Sequence, residues 1–195
     1  RKLTQDDYGE ASLSNQIGDL YLNKGDVPKA IEAFLDAASY YEKNEFTSKA
    51  IALYRKILRL DSSRTEVYSK LAQLYSDQGL IREAIEQMET LAEYYEQNDE
   101  LDKALDCYRQ IAGLDPSNIG IRVNIGELYE RQGLTNKAAE EYIKVGEGYA
   151  KQGDIRRGFK YYKQALLLVP DSITAMKEIA KIYIQTGHTQ KALEV

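Results

Sequence analysis

A tyrosine returns at a fixed interval of 54 residues along this chain, at Tyr21, Tyr75, Tyr129 and Tyr183. Gly25, Gly79, Gly133 and Gly187 each follow their tyrosine by four residues, and Ala30, Ala84, Ala138 and Ala192 by nine. An echo kept in register over four copies restricts the chain to stacked repeats rather than a globule closed around one core. Such stacks present long surfaces, so the first functional reading is a binding scaffold.

Each unit reads as three helices with no strand. In the first, Ile17, Leu20 and Tyr21 recur at helical spacing up to Lys24. Gly25 supplies a left-handed stop, and Asp26 with Pro28 restarts the chain as N-cap and first-turn residue. The second helix places Ala30, Phe34, Ala37, Ala38 and Tyr41 on one stripe, and the third presents Ala50, Tyr54, Ile57 and Leu58. Ser63 and Glu66 read as a capping box for the next unit, while Pro116 and Pro170 forbid helix continuation in the later ones. The pattern predicts helices near 14–24, 27–43, 47–60, 65–78, 81–97, 101–114, 119–132, 135–151, 155–168 and 172–186. Connections this short force antiparallel neighbours. The expected fold is an all-α, right-handed solenoid of about ten helices, with units near 12–65, 66–119 and 120–173 and a partial one at 174–195. Arg1-Lys2-Leu3 matches the register of Arg55-Lys56-Ile57, and Ala192–Val195 opens a helix without finishing it, so the array is expected to be cut from a longer one.

The alternation of small and large residues has a packing reason: alanine or glycine lets two helices approach, and an aromatic fills the hollow beside it. Tyr21, Tyr75 and Tyr129 are expected to be mostly buried. In the doublets Tyr40-Tyr41, Tyr94-Tyr95 and Tyr161-Tyr162, neighbours point about 100° apart, so Tyr40, Tyr94 and Tyr161 leave the stripe for a neighbouring helix or the surface.

Gly18, Tyr21, Gly25, Ala30, Phe34 and Ala37 resemble one tetratricopeptide repeat, and Ala38, Tyr41, Ala50, Tyr54, Ile57 and Ser62 a second, overlapping one. The middle helix serves as helix B of one motif and helix A of the next. This three-helix variant resembles long multi-repeat bacterial proteins, particularly of the deltaproteobacterial type. The resemblance implies a concave groove on the first helices that binds a peptide, helix or small domain of a protein partner. Its exposed positions would be Asn15, Asp19 and Asn23; Ser69, Gln73 and Asp77; Val123, Glu127 and Arg131; and Lys177 with Lys181. The family's lysine–asparagine clamp for chaperone tails is missing from the first three units, and Lys177 with Lys181 could make only half of one. Long arrays of this type also bring to mind motility, pilus or polarity assemblies, including those that recruit Ras-like GTPases. Stacking end to end through Arg1–Leu3 and Ala192–Val195, or service as a regulatory domain of a longer protein, are the alternatives.

Glu86, Glu89, Glu93 and Glu96 recur at three and four residues and share one helix face. This reads as a solvated face or, alternatively, as a docking surface for a basic patch, where charge speeds encounter. A net charge of -5 disfavours nucleic acid. No apolar run approaches the roughly 20 residues that cross a bilayer, so the chain reads as soluble and cytoplasmic. Cys107 is the only cysteine and is compatible with a reducing compartment; it reads as a half-buried filler beside Tyr108. His188, the only histidine, reads as a helix-junction residue. No zinc spacing, nucleophile–base pair or phosphate loop can be assembled, so no cofactor, metal or catalytic residue is assigned.

Overall fold

In the computed structural model, residues 5–194 are described, with side chains from residue 9 onward. They form eleven helices and, among the described residues, no strand: α1 Gln5–Asn23, α2 Val27–Lys43, α3 Thr47–Leu60, α4 Thr65–Asp77, α5 Ile81–Gln97, α6 Leu101–Leu114, α7 Ile119–Arg131, α8 Thr135–Lys151, α9 Ile155–Leu168, α10 Ile173–Gln185 and α11 Thr189–Leu193. Nine of these, α2 to α10, follow the expected pattern closely, and α11 lies where the last partial helix was expected to open. The exception is the start of α1, which runs from Gln5 rather than from Ser14. Nothing in Asp6–Leu13 resembles the Asp-Pro or Asp-Ser breaks of the later units, so the helix continues. The expected edge residues Arg1, Leu3 and Val195 lie outside the described residues.

The repeating tyrosine and glycine act together at one turn. Gly25, Gly79, Gly133 and Gly187 take φ of 79°, 74°, 71° and 78°, the left-handed region that only glycine enters without steric cost. The chain then folds back so that the N–H of Asp26, Leu80, Leu134 and His188 donates to the carbonyl of Tyr21, Tyr75, Tyr129 and Tyr183, at 2.9, 2.9, 2.8 and 2.8 Å. This bond caps the end of each first helix. The second turn has the same geometry with different residues. Phe46, Glu100 and Asp154 donate to Tyr41, Tyr95 and Tyr149 at 2.8, 2.8 and 2.9 Å. Here the left-handed residue is Glu45 (φ 62°), Asp99 (φ 58°) or Gly153 (φ 82°).

Helix starts are mixed. Asp26 caps α2 through its side chain on the Lys29 N–H, with proline in the first turn, and Asn118 and Ser172 cap α7 and α10. The expected Ser63–Glu66 capping box does not form. Arg64 occupies the N-cap of α4 with no side-chain cap, because the Ser63 hydroxyl and N–H both turn back to Asp61, at 2.6 and 3.1 Å.

The chain divides into two compact units, Arg1–Leu91 and Ala92–Val195, with the boundary inside α5. In the first unit α2 packs against both α1 and α3, and in the second α8 packs against both α7 and α9. The middle helix thus has a partner on either side. Close approach comes from glycine under a ring. A Cβ added at Gly18, Gly126 or Gly146 would run into Phe34, Tyr142 or Tyr162 respectively. Phe34, Tyr54, Tyr142 and Tyr162 are among the largest fully buried side chains, and Ala30, Ala37, Ala38 and Ala50 complete the first unit's core.

Burial of the repeat tyrosines is less uniform than expected. Tyr129 is buried, whereas Tyr21 and Tyr75 are half-buried. All three sit at the end of their helices, and an ammonium lies over two of the rings: Lys29 is 5.5 Å from Tyr21, and Lys137 5.6 Å from Tyr129. Cys107 is buried outright rather than half-buried, and burial pushes its thiol up to about 11. His188 sits at the junction before α11, its ring Nδ1 3.1 Å from the Thr186 hydroxyl.

Candidate functional site

Three buried tyrosines reach out of the core to surface carboxylates, and those carboxylates link helices. Tyr54 of α3 donates to Glu42, in the last turn of α2, at 2.6 Å. The other oxygen of Glu42 accepts from Lys70 of α4 at 2.8 Å. One register later, Tyr108 of α6 donates to Glu96 of α5 at 2.8 Å, and Arg131 of α7 donates to the same carboxylate at 2.7 Å. In the third case Tyr142 of α8 donates to Glu130 of α7, which also accepts from Gln164 of α9 at 3.2 Å. A buried hydroxyl without a partner is costly, and a charged acceptor gives a stronger bond than a neutral one.

The electrostatics follow from that placement. Burial, with the adjacent carboxylate second, holds the phenols of Tyr54, Tyr108 and Tyr142 well above the usual tyrosine range, so they remain donors. Burial alone would raise Glu42, but Lys70 and Tyr54 outweigh it and hold the carboxyl below its ordinary value. Tyr162 has Ala150 where the first two units have Glu42 and Glu96; burial pushes its phenol up to about 12.

The candidate contact residues of the first helices are placed as follows. In the first unit, Asp19, Asn23, Gln73 and Asp77 are exposed; in the second, Glu127, Arg131, Lys177 and Lys181 are exposed. Several are already engaged within the chain. Asp19 pairs with Lys56 of α3 at 2.5 Å, and the Gln73 amide donates to Asp77 at 2.7 Å. Arg131 pairs with Glu96 at 2.7 Å and lies 3.7 Å from Asp99, and Lys181 pairs with Glu178 at 2.5 Å. The side chains of Asn23, Glu127 and Lys177 make no hydrogen bond or ion pair among the described residues. Two neighbours of this set are corrected: Asn15 and Val123 are half-buried rather than exposed, because each lies toward the packed side of its helix.

The acidic residues Glu86, Glu89, Glu93 and Glu96 all lie on α5. Glu86 and Glu93 are exposed, whereas Glu89 and Glu96 are half-buried. Glu96 is committed to Tyr108 and Arg131, a role that helical spacing within α5 did not reveal. The tyrosines that leave the stripe are half-buried. Tyr40 meets Tyr41 edge-on at 5.9 Å, Tyr94 meets Tyr95 at 5.9 Å, and Tyr161 stacks on Tyr149 at 5.7 Å. Among the described residues no group of three or more His, Cys, Asp or Glu is placed to hold a metal ion, and no helix is long and apolar enough to cross a membrane.

The tetratricopeptide repeat model matches residues 65–98 and 89–118. The two matches overlap within α5, as expected of a middle helix shared by two motifs. Residues 8–77 match the model of soluble NSF attachment protein. The chain is 25% identical over 177 residues to TPR repeat-containing protein MJ1428 of Methanocaldococcus jannaschii, covering 86% of this chain and 31% of that protein. It is 20% identical over 205 residues to human general transcription factor 3C polypeptide 3, covering 87% of this chain and 23% of that one. The chain therefore spans about a third or less of these relatives. Among solved structures, BtubC (BKLC) from P. vanneervenii aligns with a TM-score of 0.43 at 21% identity, covering 97% of this chain and 87% of that one. Residues 65–118, where the repeat model matches twice across the shared middle helix, carry tetratricopeptide repeats, and the same glycine turns and glycine-under-ring joints recur in the other units.

Proposed function

We propose that the chain is a non-catalytic scaffold that binds a peptide, helix or small domain of a protein partner through the exposed faces of its first helices. The observation that carries this reading is a division of labour by register. Positions that repeat, such as the glycine turns and the alanines beneath the rings, are spent on stacking. Positions that differ between units, Asp19, Gln73 with Asp77, Glu127 and Lys177, are exposed. Repeat scaffolds distinguish ligands through such variable positions.

The test is a double charge reversal, Asp77→Lys with Glu127→Lys, compared with Glu89→Lys and Glu93→Lys on α5. Exposed substitutions cost within about 0.5 kcal/mol, so the melting temperature of the first variant stays close to that of the native chain. Proteins retained by the immobilised native chain are expected to be lost from the first variant, with an altered salt dependence of the remainder. Retention by the first variant together with loss from the second would overturn the first-helix reading in favour of the α5 face.

A further inference from the structure

We propose that α9 carries a second docking surface, distinct from the first-helix faces, that takes an extended acidic segment of a partner protein. Helix α9, IRRGFKYYKQALLL, holds four basic residues and no acidic one, in a chain of net charge -5. Its equivalent α6 shows that stacking does not require this. Arg156 and Lys160 stand where α6 has Asp102 and Asp106, and Lys163 where it has Arg109. In α6 the charges are satisfied locally: Asp106 pairs with Arg109 at 3.0 Å, and Asp102 accepts from Gln132 at 2.9 Å. In α9 the sign at both acidic positions is reversed. Arg157 is paired with Asp154 at 3.1 Å, but Arg156, Lys160 and Lys163 have no carboxylate partner among the described residues, and all three are exposed.

The three cations line a shallow hollow of about 640 Å³ together with Phe159 and the Arg157–Asp154 pair. The Phe159 ring is anchored edge-on against Tyr183 of α10 at 5.4 Å, and Lys163 lies 5.8 Å from its centre. The hollow therefore offers an apolar patch beneath uncompensated positive charge. Arg156 and Lys163 are seven residues apart on the helix, about 10 Å at 1.5 Å per residue. An extended peptide covers that distance in about three residues, so carboxylates two or three residues apart meet both ends, with an apolar side chain between them over Phe159.

Charge selects a short segment over a long polyanion. A duplex or a membrane surface extends beyond the patch and meets the acidic remainder of the chain, whereas a short segment meets three unpaired cations and one carboxylate, Asp154, already held by Arg157. Screening confines the attraction to about 10 Å at moderate salt.

The probe is a fluorescently labelled hexaglutamate peptide, followed by anisotropy at low and at physiological salt. Arg156→Asp with Lys160→Asp gives α9 the charges α6 already carries, so the fold is retained, and binding is expected to weaken at least tenfold. Lys163→Glu is read in parallel and is expected to weaken binding in the same direction. Lys24→Asp with Arg82→Asp changes net charge equally at exposed sites far along the sequence and is expected to alter binding less than twofold. Three results would overturn the proposal: no binding by the native chain at low salt, equal loss in the two double variants, or tighter binding of phosphatidylserine vesicles or duplex DNA than of the peptide at the same site.

Discussion

Tyr108 is 4% exposed, yet its hydroxyl ends on the half-exposed carboxylate of Glu96 at 2.8 Å. Removing that hydroxyl leaves the ring's packing intact and deletes one charge-assisted bond, so Tyr108→Phe is expected to cost about 1–2 kcal/mol in urea unfolding. Tyr162→Phe, which has alanine in place of the carboxylate, is expected to be nearly neutral. The same phenols set an alkaline limit. Their folded values lie above the ordinary 10.0, so the folded chain holds these protons more tightly than the unfolded one. Their contribution is complete below about pH 10 and falls as pH rises beyond it. Glu42 works in the opposite direction. Its folded value lies below the ordinary 4.5, so its contribution is present above that pH and is lost as pH falls. Melting temperatures across the pH range are expected to decline on both flanks, and Tyr108→Phe to soften the alkaline decline.

At the level of the turn, register predicts stability with a definite sign. Glu45 and Gly153 occupy the same left-handed position, at φ 62° and 82°. A side chain in that region costs about 1–2 kcal/mol, part of which glycine's unfolded entropy takes back. Glu45→Gly is therefore expected to raise stability by about 0.5–1 kcal/mol. Gly126→Ala is expected to lower it by about 1–3 kcal/mol, because its methyl would press on the Tyr142 ring; thermal melts of the two variants should move in opposite directions. These turns also explain what was legible from sequence. Gly25, Gly79 and Gly133 mark helix ends chemically, and α2 to α10 fall close to where those marks put them. The α1 extension was not legible because the apolar spacing that marks this helix, Ile17, Leu20 and Tyr21, begins only after Ser14. The Ser63–Glu66 box failed because Asp61, two residues upstream, competes for the same serine. The Tyr–Glu links were invisible to helical spacing, since their partners lie 12 residues apart on different helices. Comparing units would have exposed them, because Glu42–Tyr54 and Glu96–Tyr108 repeat in register.

Over the whole molecule, one scaffold carries two kinds of position: joints that hold the stack, and exposed residues that vary from unit to unit. The charge reversal on α9 relative to α6 belongs to the second kind, and so do the first-helix residues from Asp19 to Lys181. Because the joints recur, disturbing one is expected to be felt first by its sequence neighbours. The tyrosine–carboxylate links have an optical consequence as well. The chain has 16 tyrosines and no tryptophan, so its ultraviolet emission comes from phenols alone. A phenol bonded to a carboxylate can pass its proton across in the excited state, which weakens its ordinary emission. Tyr54, Tyr108 and Tyr142 are therefore expected to be quenched in the folded chain and to brighten when their partners leave; emission followed through unfolding is expected to rise without any added label, and to rise less in Tyr108→Phe.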